Sequence, residues 1–192
     1  MDAVDLPDLP TIRARWRTLA IASAAGGLPD LWATSTTSDT HADPIGSGLE
    51  LLVLRAGAAV LTGFDAELDD AEAWADPALL TEGAPSWVRS AVEEVAPLGD
   101  AAWWDGTGWF RSAAAAGIPR SIEVLATPLT SVEALAEELL TLLEEDPTGE
   151  ERALALRIAA GPATAEGLIE LYQGRRFGFL PEHAHAAVAD HS

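Results

Sequence analysis

The sequence predicts an α+β protein with a mostly antiparallel sheet of about five strands, a leading helix and a helical C-terminal portion. Short apolar runs bounded by turn residues occupy 49–126, as is typical of antiparallel strands. Apolar residues at helical spacing precede them, and helix-start motifs follow them. We therefore divide the chain into an α+β core at 1–128, a helical portion at 129–180 that packs on the core within one domain, and a flexible tail at 181–192.

The leading helix is expected to start after Asp8, which suits the N-cap position, and to stop at Gly26-Gly27. Trp16 falls on the apolar face of this helix, so we expect its side chain in the core. The next segment, 34–47, is polar and rich in turn residues. It is expected to form a loop.

Two hairpins account for most of the predicted sheet. The first joins 49–55 to 58–64, and both runs are almost continuously apolar. Strands of that composition need cover on both faces, so we expect them to lie centrally in the sheet. The second hairpin joins 101–104 to 109–112 across the turn Asp105-Gly106-Thr107-Gly108.

The remaining elements are predicted from local signals. Pro85 suits the first turn of a short helix, and 121–126 is expected to form the fifth strand. Capping boxes at Thr130-Ser-Val-Glu133 and Thr148-Gly-Glu-Glu151 each predict the start of a helix. A third C-terminal helix is expected at 164–173.

Charge and composition restrict the classes of partner. A net charge of −20 would repel a phosphate backbone, so we expect no nucleic-acid binding. The same charge would attract a basic protein; the alternative is that it serves solubility alone. The chain has no cysteine, which excludes disulfides, and no apolar run near the roughly 20 residues that a membrane helix needs. We expect a cytoplasmic protein that does not bind membranes.

The strongest candidate site lies in residues 63–111, which hold five of the seven tryptophans, eleven carboxylates and two arginines. Tryptophan usually marks either a core anchor or a binding hot spot. Trp103 and Trp104 are adjacent on one strand and must point to opposite faces, so one of them is a candidate for binding. The predicted partner-binding residues are Asp65, Glu67, Asp69, Asp70, Glu72, Trp104, Asp105 and Trp109.

We predict no catalytic residue, no metal ligand and no cofactor. The acidic segment 65–76 lacks the glycine and glutamate that an EF-hand loop requires at its sixth and twelfth positions. The histidines at 183, 185 and 191 are expected to lie in an exposed tail, and His41 stands alone in a polar loop. The chain has no lysine and no nucleophile elbow, so an enzyme is not expected.

Three segments resemble a family of uncharacterised actinobacterial proteins. They are Gly63-Phe64-Asp65, Leu79-Leu80-Thr81-Glu82-Gly83-Ala84-Pro85-Ser86-Trp87, and Trp104-Asp105-Gly106-Thr107-Gly108-Trp109-Phe110-Arg111. Phe64 stands where that family tends to have histidine, and Ala78 where it has aspartate. The resemblance implies an α+β fold and no particular reaction. In being small, acidic, cytoplasmic and without an active site, the chain is also similar to immunity proteins of bacterial polymorphic-toxin systems.

The leading hypothesis is therefore a protein that neutralises a basic partner, most simply as an immunity protein of a toxin system. The alternative is a structural or regulatory domain that acts by self-association as a homo-oligomer. A metal-dependent enzyme that uses the carboxylates of 65–76 is the third hypothesis. Immunity predicts an adjacent toxin gene and a one-to-one complex, whereas self-association predicts a concentration-dependent dimer.

Overall fold

The computed structural model describes residues 1–44, 46–54, 57–68, 75–95, 98–143, 146–175 and 179–190. The chain divides into two compact units. The first unit consists of Met1–Leu9 and Ser35–Ala126, and the second consists of Pro10–Thr34 and Thr127–Ser192. The sequence analysis placed the leading helix in the α+β core at 1–128. In the structure, most of that helix belongs to the same unit as the C-terminal helices.

The described residues contain a seven-stranded sheet in the order β1-β7-β6-β5-β4-β3-β2. Antiparallel pairing joins β1 to β7, β7 to β6, β6 to β5, β5 to β4 and β4 to β3. The strands are β1 (Asp2–Val4), β2 (Trp32–Thr34), β3 (Ser38–Ala42), β4 (Gly48–Val53), β5 (Ala59–Phe64), β6 (Asp100–Trp104) and β7 (Trp109–Arg111).

Both predicted hairpins are confirmed. Strands β4 and β5 pair with Leu51 opposite Leu61, and β6 and β7 pair with Trp104 opposite Trp109. The expected central position of the first hairpin is also confirmed, because β4 and β5 both lie inside the strand order. On β5 every residue from Ala59 to Gly63 is buried, which agrees with cover on both faces.

The expectation of about five strands is corrected to seven. Strands β1 and β2 have three residues each, and β3 (Ser38–Ala42) falls in the segment 34–47 that was expected to be a loop. Only Asp39 of β3 is buried, so this strand has no apolar face by which a sequence pattern could identify it. It is held by its backbone pairing with β4.

The fifth strand predicted at 121–126 is wrong, because Ser121–Leu125 is a helix. The alternation of Ile122 and Val124 suggested a strand, yet Val124 is exposed. The buried apolar residues are instead Ile122 and Ala126, which are spaced by one helical turn.

The helices that the sequence predicted begin close to their predicted signals. Ser131 caps α5 by accepting a hydrogen bond from the Ala134 N–H, one residue later than the predicted cap. The capping box of Thr148 and Glu151 is present as predicted. The helices are α1 (Leu9–Ala25), α2 (Pro77–Leu80), α3 (Ser86–Glu93), α4 (Ser121–Leu125), α5 (Val132–Thr141), α6 (Gly149–Ala159), α7 (Ala165–Tyr172) and α8 (Pro181–Asp190).

In the first unit, helices cover the two faces of the central strands. On one face, Val60 and Trp103 share a buried cluster with Val88 and Val92 of α3. On the other face, α4 approaches β5 so closely that a Cβ at Gly63 would lie 3.0 Å from Ile122 Cγ1. The missing side chain of Gly63 therefore lets α4 lie directly on the strand.

In the second unit, aromatic side chains fill the interior. Trp16 is fully buried, as predicted, and its ring meets that of Trp32 edge-on at a centroid separation of 5.3 Å. Trp32 Nε1 donates a hydrogen bond of 3.3 Å to Glu138 Oε1, and burial raises the pKa of that carboxyl. Tyr172 donates its hydroxyl to the Leu139 carbonyl at 2.9 Å.

The C-terminal segment differs from the flexible tail that the sequence predicted, because Pro181–Asp190 forms α8. Ala184 and Ala187 of this helix are buried. None of the helices in the described part of the chain combines the length and the apolar character that crossing a bilayer requires.

We predict that Trp16→Ala lowers the free energy of unfolding by about 3–5 kcal/mol, because it removes a fully buried ring and its edge-on contact with Trp32. The measurement is chemical denaturation followed by circular dichroism. Leu156→Ala is the control, since Leu156 is exposed on α6, and its effect should stay near zero. Equal stability of Trp16→Ala and the wild type would contradict the packing described here.

Candidate functional site

Asp105 shapes the turn between β6 and β7. Its Oδ1 accepts hydrogen bonds from the Thr107 N–H at 2.8 Å, the Thr107 hydroxyl at 2.7 Å and the Gly108 N–H at 3.2 Å. The hydrogen bonds from Thr107 hold the pKa of Asp105 below its usual value. Gly106 has a φ of 100°, which this turn requires and which few other residues adopt. Asp105 is exposed, but its carboxylate is engaged within the turn.

The two tryptophans beside this turn differ in accessibility. Trp104 is half-buried, whereas Trp109 is only 2% exposed and donates its Nε1–H to the Pro7 carbonyl at 2.7 Å. Their ring centroids are 5.8 Å apart. Trp109 was predicted to be a partner-binding residue, and in this structure it lies in the interior. Trp104 is the tryptophan of this pair that a partner can reach.

Asp65 and Glu67 follow strand β5. Asp65 is buried and accepts the Glu67 N–H at 2.9 Å, while Glu67 itself is exposed. Asp69, Asp70 and Glu72, the other acidic residues predicted to bind a partner, lie outside the described residues.

The structure does not bring the two halves of the predicted site together. Trp104 pairs with Ala59 at the start of β5, whereas Asp65 follows the last residue of that strand. With a strand rise of about 3.3 Å per residue, roughly 17 Å separates the two ends of β5. Glu67 and the Trp104–Asp105 corner therefore lie at opposite ends of the sheet.

A different feature of the first unit has the form of a binding site. It is a cleft of about 840 Å³ between strand β4 and helix α3, and we call it the α3 cleft. Its apolar lining includes Leu52, Leu54 and Trp87, all of which are half-buried at the margin of the core. The described residues that line it are Thr37, Leu52, Val53, Leu54, Ala58, Trp87, Ser90, Ala91 and Glu94.

A second depression, of about 310 Å³, continues along the same side of β4. Glu50 lines it, and Glu50 shares a strand face with Leu52 of the α3 cleft because it lies two residues away. Val95 lines it too and directly follows Glu94 of the α3 cleft. We call this depression the polar extension. The described residues that line it are Thr40, His41, Ala42, Asp43, Gly46, Ser47, Gly48, Leu49, Glu50, Thr62, Gly63, Phe64 and Val95.

The charges along the α3 cleft and its polar extension are negative. Glu94 lines the cleft and is exposed, while Glu50 lines the extension and is half-buried. Asp43 lines the extension as well, and its Oδ1 accepts the Ser47 N–H at 2.8 Å. The sequence analysis assigns no role to His41, and the structure places this residue in the lining of the polar extension. Among the residues that the structure describes, no arginine lines either depression; Arg55, the residue after Leu54, lies outside them.

Three or more His, Asp or Glu side chains do not come close enough to hold a metal ion anywhere among the described residues. His183 and His185 are exposed on α8, and His191 lies outside the described residues.

The first unit also buries an ion pair. Arg111 Nη2 lies 3.1 Å from Asp100 Oδ1, and the two residues are 5% and 2% exposed. Glu123 approaches Arg111 Nη1 at 3.6 Å from α4. Burial raises the pKa of Asp100 from 3.8 to about 6, although the nearby Arg111 charge and a backbone hydrogen bond from Ala101 act in the opposite direction.

The Asp100–Arg111 pair is closed off from solvent, so it serves the fold rather than a ligand. It joins β6 to β7, and through Glu123 it reaches α4. A buried pair of this kind is costly to break on one side only, because the remaining charge is left without compensation.

The sequence did not predict the α3 cleft. The residue that could have indicated the cleft is Trp87, which lies on the amphipathic helix α3. The sequence analysis assigns it only to the apolar stripe of that helix. A large aromatic residue at the edge of a stripe can cover the core and face a cleft at once. Neither a family model nor a curated protein nor a solved structure matches this chain.

We predict that the stability of the wild type relative to Asp100→Asn falls as the pH rises. A carboxyl whose pKa is raised on folding from 3.8 to about 6 binds its proton more tightly in the folded state. Below the unfolded-state pKa, this difference in pKa therefore does not change the free energy of unfolding. Between about pH 4 and 6 it lowers the free energy of unfolding, by on the order of 3 kcal/mol.

The measurement is denaturant unfolding of both proteins at intervals between these pH values. Asp146→Asn is the control, because Asp146 is exposed. A relative stability that stays constant, or that increases with pH, would show that Arg111 outweighs the effect of burial.

Proposed function

We propose that this chain is a protein-binding protein and that its α3 cleft binds a basic, amphipathic segment of a partner protein. The observation that carries the proposal is the coincidence of an apolar cleft with Glu94 in its lining and Asp43 and Glu50 in its polar extension, on a chain of net charge −20. An apolar centre with a charged rim is the usual anatomy of a protein interface.

The apolar part of the α3 cleft would supply affinity. Trp87 is half-buried and packs against the cluster beneath α3, so its ring is held in place before a partner arrives. Leu52 and Leu54 form the adjacent wall. A preorganised aromatic residue beside aliphatic side chains is typical of an interface hot spot, since little conformational entropy is lost on binding.

The carboxylates would make the cleft selective for a basic partner. Glu94 lines the α3 cleft and Glu50 lines its polar extension, and the described residues of both linings include no arginine to offset their charge. Surface charges of one sign mainly raise the association rate of an oppositely charged partner, and salt screens the effect. Arginine or lysine side chains flanking apolar residues on the partner would match both features of the cleft.

In its particular form, we propose that the partner is a toxin that this chain neutralises as an immunity protein. The support is the acidic charge of the chain and its similarity in general character to proteins of that class. Because immunity and toxin genes adjoin each other, the adjacent gene provides the probe for the test.

We predict that Trp87→Ala speeds dissociation of the protein encoded by the adjacent gene by at least about tenfold. Glu94→Arg should instead slow association and flatten its dependence on salt. Trp104→Ala should have little effect, because Trp104 is not part of the α3 cleft. The measurement is the association and dissociation rates of the two proteins, with one of them immobilised on a sensor surface, at low and moderate salt.

Glu166→Arg is the matched control, since it makes the same change of charge at an exposed position on α7. Melting temperatures of all variants identify any loss of binding that follows from unfolding. If Trp104→Ala weakens binding and Trp87→Ala does not, the α3 cleft is the wrong site. If the adjacent product does not bind and the chain dimerises with rising concentration in analytical ultracentrifugation, self-association replaces the proposal.

A further inference from the structure

We infer that the second unit contains a binding pocket for an amphipathic anion, that is, a carboxylate attached to an apolar chain. The pocket has a volume of about 680 Å³, within the range of small-molecule sites. It is independent of the α3 cleft and of the proposed protein partner.

One wall of the pocket is a face of α1. Thr11, Ala14, Arg15, Thr18 and Ile21 recur at helical spacing and line it together with Arg17. The Arg15 guanidinium is held in place, because Nη1 donates a hydrogen bond of 2.6 Å to the Leu129 carbonyl. Arg17 is exposed at the pocket.

The remaining walls are mostly apolar. Val132, the first residue of α5, lies on one side, and Val188 of α8 also contributes. The end of α6 and the connection that follows it, residues 159–163, complete the lining with alanine, glycine and proline. An alkyl chain fits such a surface, since burying it releases water from both partners.

The charge of this pocket is opposite to that of the chain as a whole. The sequence has 31 carboxylates and eleven arginines, yet the described residues of the lining include two arginines and no acidic residue. Among the described residues, neither Arg15 nor Arg17 forms an ion pair with a carboxylate. Guanidinium groups that lack a carboxylate partner are well suited to bind one from a ligand.

The position of the charges fixes the orientation of the ligand. The carboxylate would lie against Arg15 and Arg17, near the start of α5, where the helix dipole also favours an anion. The apolar chain would extend toward residues 159–163, where the end of α6 presents backbone carbonyls and would disfavour a negative charge. An anion without an apolar chain would leave most of the pocket empty.

The test is isothermal titration calorimetry of the full chain with decanoate, decanol and inorganic phosphate, below the concentration at which decanoate forms micelles. Decanoate should bind saturably at one site per chain, and decanol and phosphate should each bind at least about tenfold more weakly. Arg15→Gln and Arg17→Gln should each weaken decanoate binding by about tenfold and leave decanol unchanged.

Two further variants separate the pocket from general effects. Arg152→Gln removes an exposed arginine of the same unit, which pairs with Glu137 away from the pocket lining, and should leave decanoate binding unchanged. Ala14→Phe fills the pocket from an exposed helix position without a change of charge and should abolish binding. Circular dichroism checks that each variant is folded.

Equal affinity for decanol and decanoate would overturn the inference, because the arginines would then have no part in recognition. So would an effect of Arg152→Gln as large as that of Arg17→Gln, since attraction would then follow net charge alone. Undiminished binding to Ala14→Phe would show that decanoate binds elsewhere on the chain.

Discussion

Strand β5 (Ala59–Phe64) is buried on both of its faces, and the helices of the first unit are arranged to provide that burial. On one face Val60 packs in the cluster that includes Val88 and Val92 of α3. On the other face Gly63 leaves room for Ile122 of α4. Because α3 lies over the central strands, it does not extend fully over β4, and Leu52 and Leu54 remain half-buried. The α3 cleft is thus a consequence of where α3 has to lie.

Charge is distributed differently inside the protein and on its surface. In the first unit, Arg111 is placed in the interior with Asp100, where burial and not attraction dominates the pKa of the carboxyl. Along the α3 cleft and its polar extension, Glu94 and Glu50 place negative charge beside an apolar surface, and no arginine is among the described lining residues. In the second unit, two arginines line an otherwise apolar pocket. The two surfaces therefore carry charges of opposite sign, whatever the net charge of the chain.

Elements specified by local chemistry were predictable from the sequence. Both hairpins, the capping box of Thr148 and the burial of Trp16 are encoded within short segments, and each is present. Strand β3 and helix α4 were not predictable, because the strand has no apolar face and the helix depends on the space above Gly63. The arrangement of the residues predicted to bind a partner also depends on long-range packing. The sequence analysis grouped Glu67 with Trp104 and Asp105 in one site, but the register of β5 with β6 places them at opposite ends of a strand. Long-range packing determines which surface remains uncovered, and local sequence patterns do not indicate this packing.

Hydrogen–deuterium exchange of the chain, alone and with the protein encoded by its adjacent gene, tests the role of the α3 cleft most directly. Binding in the cleft protects amides of β3, β4 and α3, because these elements form its walls. We expect slower exchange at 37–42, 48–54 and 86–95 and no change at the turn 104–109. Protection confined to that turn, or to α1 and the C-terminal helices, would contradict the assignment of the cleft as the partner-binding site.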